Sequence, residues 1–191
     1  NDYTVVSVFV NPTQFNNAVD LEKYPREVDK DLKKLEQAGA DVAFVPAVSE
    51  IYGNHVQPDD IDLGGLDELM EGAHRPGHFD GVATVIMRFF DLLKPTRAYF
   101  GEKDFQQLQI IRHVSQKHNL GTEVIGFPTQ RTEHGLAMSS RNLRLSEAGL
   151  HSAVAIYTNL KWAAENYHQY EPNSLKTAMT ERFAASDLDL E

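Results

Sequence analysis

Cysteine is absent from the chain. That excludes a disulfide framework, a thiolate metal centre and a Cys nucleophile, and it fits a reducing compartment. Basic charge is in short supply: 18 Lys and Arg stand against 28 Asp and Glu, a formal charge of −10. A general nucleic-acid binder carries the opposite balance, so no nucleic-acid partner is expected. A local basic pocket for an anionic ligand stays open. No apolar run approaches the roughly 20 residues that span a bilayer, so no membrane span is expected. Three signatures are also lacking: the G-x-x-x-x-G-K-[ST] P-loop, the G-x-G-x-x-G dinucleotide fingerprint and the G-x-S-x-G nucleophile elbow. What is there is 41% hydrophobic over 191 residues, enough for a globular core and about one to two domains.

The remaining pattern alternates strands with helices. Thr4-Val-Val-Ser-Val-Phe-Val10 is almost continuously β-branched and aromatic, which predicts a parallel strand buried on both faces and stopped by Asn11-Pro12. Residues 26–38 predict an amphipathic helix with Val28, Leu32 and Leu35 on one side and Gly39 as C-cap. Val42-Ala-Phe-Val45 predicts a second strand, 53–65 an irregular excursion and 66–71 a short helix. In the loop 72–81, Pro76 and Gly77 separate His74 from His78, which removes the helical i,i+4 geometry of a zinc site. Arg75 is then either an anion contact or part of a loop held by its own hydrogen bonds.

Residues 80–93 predict a buried helix through Val82, Val85, Ile86, Phe89, Phe90 and Leu93. Arg97–Phe100 predicts a third strand and Glu123–Phe127 a fourth. Between them, a helix from Asp104 to about His118 carries Phe105, Leu108, Ile111 and Val114 toward the sheet, with Arg112, Ser115 and Gln116 off that stripe. Ser146 is the N-cap of a helix to about Tyr167, with Ala153, Ile156, Leu160, Ala163 and Ala164 inward. Pro172 breaks it, and a last helix runs from Ser174 to Ala185. The expected class is α/β: a Rossmann-like parallel-sheet nucleotide-binding domain over 1–143, then the helical start of a small C-terminal domain over 144–191.

Two stretches carry chemistry. In Tyr99-Phe-Gly-Glu-Lys-Asp-Phe-Gln-Gln-Leu108 a strand ends, Gly101 turns the chain, and Glu102, Lys103 and Asp104 open a helix. Ligands of open α/β folds bind at such strand exits, and a helix start presents free N–H groups to an anion. Lys103 adds a full positive charge, while Gln106 and Gln107 offer uncharged hydrogen bonds one turn on. In Gly135-Leu-Ala-Met-Ser-Ser-Arg-Asn142, Ser139, Ser140 and Arg141 offer two hydroxyls and a planar fork for a second phosphate. Right-handed crossovers put parallel strand exits on one edge, so Gln14, Lys103 and the loop 128–142 are expected to converge. Taken singly, these motifs also read as helix capping, an ordinary turn and, for Gln14, a loop amide. Their expected convergence is what favours a phosphate site.

At these residues the chain resembles the pantothenate synthetase (pantoate–β-alanine ligase) family of the adenylate-forming nucleotidyltransferases. The resemblance is carried by Val10-Asn-Pro-Thr-Gln-Phe15, Tyr24-Pro-Arg26, Arg75-Pro-Gly-His-Phe-Asp-Gly-Val82, Phe100-Gly-Glu-Lys-Asp-Phe-Gln-Gln107 and Gly135-Leu-Ala-Met-Ser-Ser-Arg-Asn142, in order along the chain. It implies two steps. ATP and (R)-pantoate give pantoyl adenylate and pyrophosphate with Mg²⁺ assisting, and the amine of β-alanine then displaces AMP to leave pantothenate. It implies that Gln14 and Gln107 bind pantoate. It also implies that Gly101, Glu102, Lys103, Asp104 and Gln130 contact ATP together with Met138, Ser139, Ser140 and Arg141. Lys103, Ser139, Ser140 and Arg141 are the expected catalytic group, and no metal ligand is assigned. A cytoplasmic homodimer is implied as well. The alternatives on the same fold are a nucleotidylyltransferase that stops after adenylyl transfer, and a nucleotide-binding module without catalysis.

Three departures from the family pattern stand out. The M-G-x-L-H-x-G-H motif, whose second His serves the family as an acid, is not in these residues, and the chain is expected to start at the family's second strand. The C-terminal domain is expected to be incomplete. His134 stands where the family usually has an acidic residue.

Overall fold

A computed structural model of the chain describes residues 2–24, 26–186 and 188. Pro25, in the Tyr24-Pro-Arg26 segment, lies outside the described residues. The chain divides into two compact units, Asn1–Phe127 and Pro128–Glu191. The stretch 128–143, read from the sequence with the first domain, falls in the second unit.

In the first unit the order is β1 (Val5–Ser7), α1 (Ala18–Lys23), α2 (Val28–Ala38), β2 (Val42–Phe44), α3 (Val48–Tyr52), α4 (Met70–His74), α5 (His78–Leu93), β3 (Arg97–Gly101), α6 (Phe105–Lys117) and β4 (Glu123–Phe127). β1 pairs with β2 and β3 with β4, both parallel, with Val5 opposite Val42 and Arg97 opposite Glu123. The α/β class with parallel strands is as expected. The strands nevertheless form two separate pairs, because among the described residues no strand lies between β1 and β3 to carry a ladder from one to the other.

Helix α5 joins the pairs by packing. Its Phe79, Val82, Ala83 and Phe90 form a core with Ile110, Ile111 and Val114 of α6, against which Ala98, Phe100 and Val124 of β3 and β4 pack. Its Val85 and Phe89 form a second core with Ile51 and Tyr52, against Phe9 and Phe44. The rings of Phe9 and Phe44 meet Phe89 edge-on at 5.7 and 5.3 Å, the favoured aromatic geometry. A helix apolar around most of its girth can serve two cores at once.

Several expectations change. β1 is less than half as long as its apolar run, and its Val5 and Ser7 are exposed rather than buried. The short helix expected at 66–71 lies at Met70–His74. On α6, Leu108, Ile111 and Val114 are buried, whereas Phe105 is 56% exposed at the helix start. Ser115 is buried after all, and its hydroxyl donates to the Thr122 carbonyl (3.0 Å). Gly39 closes α2 in the left-handed region at φ 79°, as expected.

The second unit contains α7 (Glu147–Asn166) and α8 (Pro172–Ala184). The Ser146 hydroxyl caps α7 by accepting from Gly149 N. Pro172 opens α8 rather than only ending what precedes it, because a first-turn N–H has no helical partner to lose. Ala153 is buried, but Ile156 and Leu160 are exposed. The buried side of α7 carries Asn159 instead, where α8 packs and Arg182 donates to Asn159 Oδ1 (3.1 Å).

Candidate functional site

The exit of β1 is built with unusual care. Asn11, 3% exposed, is followed by a 3-10 turn at Pro12–Gln14. Asn11 Nδ2 donates to the Gly81 carbonyl (2.9 Å), and its Oδ1 accepts from the Tyr52 hydroxyl (2.6 Å) and from Thr13 Oγ1 (3.1 Å). Burial pushes the Tyr52 phenol above its ordinary value, which keeps its proton available for that bond. These bonds engage both ends of the Asn11 amide, so Asn11 is structural. The Gln14 backbone carbonyl is also bound, whereas its half-buried side-chain amide has no hydrogen-bond partner among the described residues.

The exit of β3 carries the other motif. Gly101 has ordinary extended backbone (φ −68°), and a Cβ there would meet nothing within 4 Å. Neither backbone strain nor crowding by the described residues requires a glycine here. Glu102–Asp104 form a 3-10 turn into α6. Lys103 Nζ lies 3.0 Å from Asp104 Oδ1, a largely exposed pair. Such a pair is worth about 0–1 kcal/mol, so Lys103 exchanges partner at little cost. The two glutamines that follow separate by role. Gln106 Nε2 donates to the Leu66 and Leu69 carbonyls (both 2.7 Å), and its Oε1 accepts from Glu71 N (3.0 Å). It staples the 66–71 loop. Gln107, half-buried, has no such engagement among the described residues.

In the second unit, 130–138 folds back on itself. Arg131 bridges Ala137, Met138 N donates to the Gln130 carbonyl (2.9 Å), and Thr132 to Gly135 closes the turn. This hairpin sets Gln130 beside Met138. The sequence showed only a polar loop there. Gly135 is at φ 89°, and a Cβ would stand 2.0 Å from Tyr157 Cδ1, so two constraints require glycine. Ser139 caps the 3-10 turn Ser140–Arg144 by accepting from Arg141 N (3.2 Å), and Asn142 Nδ2 donates to the Ala137 carbonyl (3.0 Å). Met138 is 60% exposed, and Ser140 and Arg141 are exposed. A cleft of about 610 Å³ in this unit is lined by Arg131, Tyr157, Lys161, Trp162 and Arg182 among others, and includes none of the expected site residues. His134 Nε2 lies 3.3 Å from Glu133 Oε1.

Arg75 takes the second of its two expected roles. Nη1 contacts Glu71 Oε1 (2.5 Å), and Nη2 reaches the Gln14 carbonyl (3.4 Å), so it holds the loop. His74 ends α4 and His78 opens α5, with the helix broken between them. Sequence reasoning gave neither Arg75 nor His78 a place beside Gln14. Only a contact across 64 residues reveals it.

The family model described as Pantoate-beta-alanine ligase matches residues 1–190. The chain belongs to that family. It is 44% identical over 184 residues to the pantothenate synthetase of Flavobacterium psychrophilum, covering 96% of this chain and 65% of the relative. It is 52% identical over 162 residues to that of Bacteroides fragilis, covering 84% of this chain and 56% of the relative. The chain therefore spans less than two thirds of these relatives' length. A crystal structure of pantothenate synthetase from Thermus thermophilus superimposes with TM-score 0.90 at 43% identity, covering 97% of this chain and 67% of that one. A pantoate-beta-alanine ligase from Francisella tularensis, described in complex with beta-gamma ATP and beta-alanine, gives 0.78 at 34%, covering 95% and 68%.

Proposed function

We propose that the protein to which this chain belongs condenses (R)-pantoate with β-alanine, at the expense of ATP, through a pantoyl adenylate. The observation that carries the reading is the family match over residues 1–190, within which every motif quoted above falls. The Francisella relative's complex with beta-gamma ATP and beta-alanine supports the choice of two substrates.

On this reading a pantoate carboxylate oxygen attacks the α-phosphorus of ATP and pyrophosphate leaves. The unengaged amides of Gln14 and Gln107 bind pantoate. Gly101, Glu102, Lys103 and Asp104 contact the nucleotide, as do Gln130 and Met138 to Arg141. Lys103, Ser139, Ser140 and Arg141 act on charge developing at the α-phosphate and on pyrophosphate. The amine of β-alanine then attacks the acyl carbonyl and AMP departs. Holding acid and nucleotide together is worth up to roughly 7–11 kcal/mol in favourable cases. Mg²⁺ binds with few carboxylates and with substrate phosphates. The ion is taken to enter on the ATP phosphates, with no protein ligand assigned to it. The nucleotide-binding domain is taken to run to residue 143, so that it includes the second motif. A cytoplasmic homodimer completes the proposal; among the described residues no helix is long and apolar enough to cross a membrane.

Hydroxylamine trapping tests it on the complete protein. Pantoate, ATP and hydroxylamine should yield a hydroxamate and pyrophosphate, and Lys103→Ala should slow both by about 2–4 kcal/mol of barrier. Pyrophosphate without hydroxamate would move the reading to a nucleotidylyltransferase. An unchanged rate in Lys103→Ala would remove that residue from the mechanism.

A further inference from the structure

The turn carrying Gln14 is laid across the start of α5 and fastened there. Asn16 Nδ2 donates to the Pro76 carbonyl (2.6 Å), and Asn11 Nδ2 to the Gly81 carbonyl. Gly81 allows the approach, since a Cβ on it would stand 2.4 Å from the Thr13 carbonyl oxygen and 2.8 Å from Gln14 N. Gly77, at φ 77°, turns the chain so that His78 is the first residue of the helix. His78 is 7% exposed, and its Nδ1 lies 2.7 Å from the Gln14 carbonyl oxygen.

The neighbours dictate the tautomer. A carbonyl oxygen only accepts, so Nδ1 carries the proton. Arg75 Nη1, 3.3 Å from Nε2, only donates, so Nε2 presents its lone pair. Arg75 Nη2 reaches the same Gln14 carbonyl. A buried imidazole and a guanidinium thus converge on one backbone oxygen, that of the residue whose own amide is left unengaged. Structure alone would not need this, because the turn is already held through Asn11, Thr13 and Tyr52.

We infer that His78, oriented by Arg75, is a positioning residue for Gln14: its Nδ1–H fixes the Gln14 backbone so that the side-chain amide meets the carboxylic-acid substrate. The inference rests on the reading of Gln14 as acid-binding. His78 does not touch the acid and acts only through the turn.

Two amide substitutions in the complete protein test it. His78→Asn puts its Nδ2 where the imidazole Nδ1 stood and keeps the donor, whereas His78→Gln puts its amide near Nε2 and loses it. The pantoate KM should stay within about twofold of the parent in His78→Asn and rise about tenfold in His78→Gln, as for loss of one hydrogen bond at a positioned group, with the ATP KM unchanged in both. Amide hydrogen exchange of residues 13–17 should quicken in His78→Gln alone. Equal pantoate KM in the two variants, or pantoate and ATP KM rising together with a fall in Tm, would overturn it. If the parent forms no hydroxamate, the acid-binding reading fails, and the inference with it. The exchange comparison then still reports whether the clamp exists.

Discussion

Asp80 sits in the first turn of α5, where a helix start favours a carboxylate. Burial outweighs that benefit and, with Asp67 and Asp60 nearby, holds its carboxyl above the ordinary Asp range. The folded state therefore binds this proton more tightly than the unfolded chain does. Stability falls as pH rises from the ordinary Asp range through the raised folded value, and it stays lower at neutral pH. Asp80→Asn should raise Tm at pH 7, and the gain should vanish as pH falls below the ordinary Asp range; thermal melts across pH check this. At this scale the sequence was legible in kind but not in role. Gln106 and Gln107 are the same residue one place apart. Only the fold shows that one is consumed by the Leu66 and Leu69 carbonyls and the other is not. Arg75 and His78 were visible as residues, but their partner is far away in sequence.

Local rules did well on elements with strong signals. β4 lies at the expected residues, and α2, α5, α6 and α7 start and stop within a few positions of their patterns. Caps explain much of that. The Ser146 hydroxyl meets a first-turn N–H that would otherwise go unpaired. Ser146→Ala should cost about 0.5–2 kcal/mol, read as a lower urea midpoint of the second unit with an unchanged slope. Short elements were not legible. α1 and α3 span 6 and 5 residues, too few for a helical period to show, and the hairpin at 130–138 closes through backbone bonds without a hydrophobic alternation. The inward face assigned to α7 held at Ala153 but not at Ile156 and Leu160, for a different reason. Apolar spacing offered Ile156 and Leu160, but packing against α8 selected the face with Asn159. The parallel character of the strands was readable from their composition. Their division into two pairs was not, since pairing is a relation between segments.

The whole molecule is unevenly consolidated. The first unit holds two apolar cores, whereas among the described residues of the second only Gly135, Ala153 and Asn159 are buried. The single Trp, Trp162, lies in the second unit, stacked with Arg182 at 4.3 Å. In urea its fluorescence should change at a lower midpoint than far-UV circular dichroism, and coincident curves would mean one cooperative transition. Within the first unit the reverse holds, because α5 is common to both cores. At 16 residues it is about 24 Å of rod, with the Gln14 turn seated on one end and both strand pairs along its sides. A disturbance in that rod is common-mode: it cannot loosen one strand pair and spare the other. Compensating substitutions in β1 or β3 alone then offer no repair. In a saturation scan of the unit, α5 should be the least forgiving segment, and second-site suppressors of its defects should map to the helix itself.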